Sequence, residues 1–177
     1  LGEAYIAAIS PLVWEASTRE GFVADVQAMR RRVESTLSDD EAAREVKLGP
    51  GGLRDIEFAV QLLQLVHGRG DETLRSGTTL VALDQLAAGG YVGREDARHL
   101  GEAYRWLRSA EHGLQLYKMR RTHLLPAADD EAGLRRIART LGYRKDAVQT
   151  FNRERAGYGR EVRRLHEKLF YRPLLAA

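Results

Sequence analysis

The sequence predicts an all-α fold, an antiparallel helical bundle of unequal helices joined by short loops. Apolar residues recur at spacings of three and four along most of the chain, as in helices that bury one face. Glycines, prolines and capping residues separate these stretches. Alternating β-branched runs and Asn-Gly hairpin turns are absent from the sequence. We therefore expect a single helical domain over residues 1–177.

Lead-in helices are predicted over residues 1–45. Ser10-Pro11 is expected to interrupt the first of them, because the residue before a proline disfavours helical geometry. Ser17 and Glu20 have the Ser-x-x-Glu spacing of a capping box. The helix predicted behind that box carries an apolar stripe, which comprises Phe22, Val26, Met29, Val33 and Leu37. Asp39 or Asp40 is expected to cap a short turn after this helix.

A glycine-rich loop and the start of a helix are predicted over residues 46–58. Three glycines around Pro50 permit positive φ, and the chain is expected to enter the helix near Leu53. The first amides of a helix lack internal partners, so this helix start, together with Lys47 and Arg54, would attract a phosphate or a carboxylate. The alternative is a glycine cap followed by a helix whose acidic first turn suits the helix dipole.

The rest of the bundle is predicted over residues 59–177. The helix that starts near Leu53 is expected to run over 53–67. Further helices are expected at 80–88, 94–121, 132–141 and 145–171. Pro173 follows the last of them, where a proline is commonly found. Asp55 and Glu57 point in different directions on their helix, so the sequence does not predict a side-by-side pair of catalytic carboxylates.

Composition narrows the class of protein. Charged residues make up 30 % of the 177 residues and the net charge is +3, while the mean hydropathy is −0.42. No run approaches the roughly 20 apolar residues of a membrane span, and the opening residues do not resemble a secretory signal. Cysteine is absent, which suits a cytoplasmic location. Paired arginines are flanked by acids at helical spacing, which favours salt-bridged helix faces over nucleic-acid binding.

Several familiar sites are excluded. No lysine follows Gly52 in the register of a P-loop, and the third glycine of the dinucleotide-binding fingerprint is replaced by Arg54. The five histidines are scattered, so no metal site is predicted from them.

A second basic patch of Arg120, Arg121 and His123 ends the longest predicted helix. It is predicted to be either a charge cap of that helix or a basic wall facing the glycine loop.

The segment 47–58 reads Lys-Leu-Gly-Pro-Gly-Gly-Leu-Arg-Asp-Ile-Glu-Phe. It resembles the signature of the bifunctional glutamine synthetase adenylyltransferase family, to which PII-uridylyltransferases are related. Further similar segments occur in the same order, at 9–14, 29–32, 103–108 with Glu111-His112, and Thr122-His123 with Leu125-Pro126. The resemblance therefore covers most of the chain.

This resemblance implies a role in a larger enzyme. Family members carry nucleotidyltransferase cores, each followed by a helical domain. One half transfers AMP from ATP to glutamine synthetase, and the other half removes it by phosphorolysis. Magnesium and ATP or ADP are the cofactors that the resemblance implies for the full-length enzyme. Their partners are glutamine synthetase and the PII signal protein. The catalytic core contains an Asp-x-Asp pair that holds magnesium, and this sequence has none. The chain also begins with Leu1 rather than Met. The expectation is a helical domain behind a core, without bound cofactor or activity of its own, and similar to the amino-terminal, deadenylylating half.

The resemblance also implies which residues face the cleft of the core or a partner. The candidates are Lys47, Gly49, Gly51, Gly52, Arg54, Asp55 and Glu57, with Gln61, Arg120, Arg121 and His123 as weaker ones. Lys47 and Arg54 would meet phosphate or the modified partner. Asp55 and Glu57 would complete polar contacts there or hold the two cations in place. The alternative is a purely structural scaffold between domains, or a partner-binding module of a PII-uridylyltransferase-like protein.

Overall fold

The computed structural model describes residues 2–172 and confirms the all-α fold. Over those residues it has eight α-helices: α1 Gly2–Glu15, α2 Phe22–Glu34, α3 Asp39–Arg44, α4 Leu53–His67, α5 Thr79–Ala88, α6 Arg94–Lys118, α7 Glu131–Thr140 and α8 Ala147–His166. A π-helical turn at Glu167–Tyr171 continues α8, and 3-10 turns lie at Ala16–Thr18 and Glu72–Leu74. The helices range from six residues in α3 to 25 in α6, as the prediction of unequal helices requires.

The main apolar core lies among α4, α5, α6, α7 and α8. Its buried members from the three longest of these helices include Leu53, Ile56, Val60, Leu63, Leu100, Leu107, Leu114, Phe151, Val162 and Leu165. A second, smaller cluster comprises Phe22, Ala59, Leu62 and Phe170. This cluster joins α2 and the π-helical turn to another side of α4. Because α4 buries apolar surface on two sides, its position is fixed. The first turn of α4 and the loop before it are therefore held in place.

The structure corrects two expectations about the lead-in helices. α1 continues through Pro11 to Glu15. Ala7, whose carbonyl the proline leaves without an amide partner, is exposed, so water can satisfy that carbonyl. Ser17 lies in a 3-10 turn and caps nothing, since α2 begins after Gly21.

A capping box does occur, but it lies at Ser38 and Glu41, at the start of α3. Asp39 and Asp40 lie inside the first turn of this helix, so neither is its cap. In contrast, Asp130 caps α7 by accepting a hydrogen bond from the amide of Gly133.

The helix boundaries near the second basic patch also differ from the prediction. α6 ends at Lys118, because Met119 adopts a left-handed backbone with φ 48°. Arg120 and Arg121 therefore lie beyond the helix. Pro173, predicted to follow the last helix, lies outside the described residues. Between residues 2 and 172 we find no helix with the length and apolar composition that crossing a bilayer demands.

Candidate functional site

The glycine-rich loop folds back beneath the first turn of α4, which begins at Leu53 as predicted. The amide of Leu53 donates to the carbonyl of Val46 over 3.1 Å, and that of Arg54 donates to the carbonyl of Lys47 over 2.9 Å. Gly51 has φ +76°, and a Cβ atom there would lie 2.8 Å from the Cα of Gly159 in α8. The loop backbone therefore packs directly on the α8 backbone, which requires glycine at this position.

The amides at the start of α4 already have partners. Gly51 donates to Oδ2 of Asp55 over 2.7 Å. Gly52 donates to the carbonyl of Gly49 over 3.0 Å, and Asp55 donates to that of Gly52 over 3.1 Å. The expectation that these amides lack internal partners is wrong, because the loop itself supplies the acceptors. Any binding of an anion at this loop must rely on side chains.

Asp55 lies at the centre of a buried ion-pair network. Its side chain and that of Arg30 are both fully buried. Arg30 donates to Oδ1 of Asp55 through Nε at 2.9 Å and through Nη2 at 2.6 Å. The same guanidinium donates to the carbonyl of Leu48 over 3.0 Å. Asp55 thus fixes the loop through Arg30. A residue that contacts a partner directly would be exposed to solvent, and Asp55 is not.

Two further basic side chains complete this network. Arg163 lies 3.7 Å from Oδ2 of Asp55 and 2.6 Å from Oε1 of Glu34. The ring of His166 donates through Nδ1 to the carbonyl of Asp55 over 2.8 Å. Burial, the largest influence, lowers the pKa of His166 although Asp55 opposes the shift.

A metal ion does not suit this network. Oxygen and nitrogen atoms of Glu34, Asp55 and His166 lie within 4.8 Å of one another, close enough to be ligands. However, Arg30 already contacts both carboxylates, at 3.2 Å and 2.6 Å. A divalent cation would have to compete with this buried guanidinium, so we interpret the group as a structural ion-pair network.

A second network surrounds Glu111, whose side chain is only 2 % exposed. It accepts from Nζ of Lys47 over 3.1 Å and from Nη1 of Arg108 over 2.6 Å, and Nδ1 of His123 lies 2.9 Å away. Burial on its own would raise the pKa of Glu111, but hydrogen bonds from Arg108 and Lys47 outweigh it and lower the pKa. Glu111 is therefore ionised and holds Lys47 and Arg108 beside the glycine loop, with His123 close by.

The pair formed by Arg54 and Glu57 extends this second network along α4. Nη1 of Arg54 lies 3.2 Å from Oε2 of Glu57, and the Arg54 side chain is 39 % exposed. Glu57 also acts on Arg108: burial works against the charge of that guanidinium, but Glu111, Tyr104 and Glu57 raise its pKa. We call the combined set the loop-face cluster, which comprises Lys47, Arg54, Glu57, Arg108, Glu111 and His123.

The structure brings together only part of the second basic patch and the loop. The carbonyl of His123 accepts from the amide of Val46 over 3.0 Å, so this segment lies against the glycine loop. Arg120 and Arg121 are exposed and form no ion pair among the residues that the structure describes. Gln61 is exposed on α4 and has no hydrogen bond from its side chain within the same range.

Sequence reasoning missed the residues that organise both networks. Arg30 was noted only within the similar segment at 29–32. It lies four residues after Val26, which itself lies four residues after Phe22, so it falls on the apolar stripe of α2. A charged residue in an apolar stripe is a usable signal of a buried ion pair. No comparable signal marks Arg163 or His166, since nothing in the spacing shows that they meet Asp55.

Comparisons with known proteins agree with the sequence resemblance. The family model for the GlnD PII-uridylyltransferase matches residues 24–170. The chain is 64 % identical over 177 residues to the bifunctional glutamine synthetase adenylyltransferase/adenylyl-removing enzyme of Streptomyces avermitilis, covering all of this chain and 18 % of that protein. The same enzyme of Streptomyces coelicolor is 63 % identical, with the same coverage. That of Mycobacterium tuberculosis is 52 % identical over 179 residues, covering 99 % of this chain and 18 % of the relative.

Two facts follow from these matches. The chain spans about 18 % of the length of the curated relatives that it matches. The family model covers well over half of the chain, from α2 to the π-helical turn after α8. On this ground, the chain belongs to the GlnD PII-uridylyltransferase family.

Proposed function

We propose that this chain is the helical domain of a cytoplasmic enzyme that adenylylates and deadenylylates glutamine synthetase, and that it supports the cleft of the adjoining nucleotidyltransferase core. Identity over the whole chain to enzymes whose names state this activity supports the proposal. ATP or ADP and magnesium belong to the longer enzyme, and glutamine synthetase and PII are its partners. The chain alone has no catalytic activity, since it lacks the Asp-x-Asp pair of such cores.

The loop-face cluster is the observation that carries this role. Glu111 and Glu57 are nearly buried, whereas the cations they hold are partly exposed: the side chain of Lys47 by 21 %, and those of Arg54 and Arg108 by 39 % each. Nearly buried carboxylates thus orient basic side chains that remain partly accessible to solvent. Such preoriented cations suit the phosphate groups of a nucleotide or of an adenylylated partner.

A substitution in the full-length enzyme tests this role. Arg54→Gln should lower turnover roughly tenfold while the melting temperature changes little, because Arg54 is partly exposed and its pair with Glu57 stabilises the fold only weakly. The matched control is Arg98→Gln in α6, which removes a surface arginine paired with Glu95 and Glu102. This control should retain full activity. A loss of activity that only accompanies a loss of stability would contradict a direct role of Arg54.

A scaffold without ligand contacts is the second candidate. It is favoured by the satisfied amides of the loop and by the complete burial of Asp55. In this case the loop would pack against the neighbouring domain, and Arg54→Gln would act through stability alone. The same measurement therefore separates the two candidates.

We further propose that the chain belongs to the amino-terminal, deadenylylating half. The Lys-Leu-Gly-Pro-Gly-Gly spelling of the loop and the Thr122-His123 segment support this assignment. The two activities of the full-length enzyme can be measured separately. Arg54→Gln should impair the removal of AMP more than its attachment, and the reverse result would assign the chain to the other half.

A further inference from the structure

A cavity of about 270 Å³ lies between the glycine loop and α8. The turn at 50–52 and the end of α3 form one wall, with Ala42 and Ala43. Arg155 and Arg160 of α8 form another. None of the six residues of the loop-face cluster lines this cavity, so what it binds is independent of the role proposed above.

Arg155 is a partly buried cation that has no acidic partner among residues 2–172. Its Nη2 donates to the carbonyl of Ala43 over 2.8 Å, and no carboxylate of the described residues lies within 4.0 Å of it. On the same helix, Arg163 and Arg164 each pair with a glutamate. Burial lowers the pKa of Arg155, and no nearby acid offsets this effect. A desolvated guanidinium without a counter-charge favours the entry of an anion.

The other charged groups of the cavity do not neutralise Arg155. Arg160 is exposed and forms no ion pair with the part of the chain between residues 2 and 172. Glu45 lines the cavity, but its Oε1 accepts from the amides of Lys47 and Leu48 over 2.9 and 3.3 Å. This carboxylate is engaged by its own loop. Two guanidinium groups therefore line one cavity, and neither forms an ion pair with a carboxylate of the described residues.

We propose that this cavity binds an oxyanion of the phosphate class through Arg155 and Arg160. Guanidinium groups donate paired hydrogen bonds that match the oxygens of a phosphate. The cavity exceeds the volume of a free phosphate, so it also admits the phosphate of a larger molecule. Free phosphate and a nucleotide phosphate share this chemistry, and the experiment below separates them.

The test is a titration of the 177-residue chain at constant ionic strength, followed by amide NMR shifts. Inorganic phosphate and AMP are used as separate probes. We expect saturable shifts at Ala43, Gly51, Gly52 and Gly159, which surround the cavity. Tighter binding of AMP would assign the site to a nucleotide phosphate, whereas tighter or equal binding of inorganic phosphate would assign it to the free anion. Shifts that rise linearly without saturation, or that lie elsewhere, would overturn the proposal.

Substitutions sharpen this test. Arg160→Gln should weaken binding about tenfold, since one of two charged donors is lost. Because Arg160 is exposed, its replacement should affect folding little. Arg155→Gln should weaken it at least as much. The matched control is Arg153→Gln, which removes an exposed arginine of the same helix that does not line the cavity. Equal affinity in Arg153→Gln and Arg160→Gln would contradict the proposed site, even if Arg155→Gln fails to fold.

Discussion

Asp55 and Glu57 lie two residues apart in α4 but have different surroundings. Asp55 is fully buried and accepts two hydrogen bonds from the buried Arg30. Glu57 is nearly buried as well, with 11 % of its side chain exposed, but its partner Arg54 is 39 % exposed and keeps access to water. Because the strength of an ion pair depends on its access to water, the two carboxylates should differ in their contribution to stability.

Asp55→Asn should lower the free energy of unfolding by about 3–5 kcal/mol, since Arg30 would remain buried without its main counter-charge. Glu57→Gln is the matched control on the same helix, and its cost should stay below about 1 kcal/mol. Urea unfolding of both variants measures the difference. Equal losses would show that the burial of Asp55 does not govern its contribution.

His166 should make stability depend on pH. Burial keeps its folded pKa below the ordinary value of 6.5. As the pH falls through that value, the unfolded chain therefore takes up a proton that the folded chain resists, so the free energy of unfolding should fall. Burial also lowers the pKa of His67, which acts in the same direction.

His166→Asn should reduce this fall, because asparagine can still donate to the carbonyl of Asp55 but does not titrate. The matched control is His112→Asn, which replaces an exposed histidine. Urea unfolding between about pH 7.5 and pH 5.5, on either side of an ordinary histidine pKa, provides the comparison. An unchanged slope in His166→Asn would exclude this histidine as its source.

Among the elements, the glycine loop depends on its contact with α8. Gly51 combines a left-handed backbone with a close approach to the backbone of Gly159. Both partners in this contact are backbone, which cannot rotate away as a flexible side chain can. An added methyl group at Gly51 would therefore clash with Gly159. The position of the loop, and with it that of Lys47, follows from backbone packing.

Gly51→Ala should therefore cost at least about 2 kcal/mol of unfolding free energy. Gly77→Ala is the control, since a Cβ atom at Gly77 would meet nothing within 4 Å and its φ is not left-handed. Thermal or urea unfolding distinguishes the two. A small effect at Gly51 would mean that the loop can move away from α8.

At the scale of the whole molecule, α1 presents an apolar face that the described chain does not cover. Tyr5, Ile6, Leu12 and Val13 are between 43 and 67 % exposed, and the helical repeat places them on one side of α1. Trp14 attaches the end of this helix by stacking against Arg75, 5.2 Å from the ring centroid. Large exposed apolar patches are typical of interaction sites. On the proposed function, we expect the remainder of the longer enzyme to cover this face.

Ile6→Asp combined with Leu12→Asp should change the unfolding free energy of this chain by less than about 1 kcal/mol, since neither side chain is buried here. In the full-length enzyme the same pair should increase the hydrogen exchange of α1 and lower the melting temperature. The control pair, Val81→Asp with Leu116→Asp, replaces exposed apolar residues on α5 and α6. Equal behaviour of both pairs in the full-length enzyme would argue against a covered α1 face.

Local patterns predicted much of the fold. The apolar stripes identified α2, α4, α6 and α8, and the glycines placed the start of α4 at Leu53. Local patterns failed where the same short sequence is compatible with more than one backbone conformation. Pro11 stays within a helix whose freed carbonyl is exposed to solvent, and the Ser-x-x-Glu pattern is used at Ser38 rather than at Ser17.

The sequence by itself determined the helical class, the loop and its resemblance to a family, because backbone propensity and periodicity act over a few residues. Only the tertiary structure decided that Asp55 is buried with Arg30, and that Glu111 joins Lys47 across 64 residues of chain. It also decided that Arg155 lines a cavity beside the loop, with no carboxylate of residues 2–172 within 4.0 Å of it. Burial and ion pairing depend on which distant side chains share a dielectric environment, and sequence spacing carries no such information.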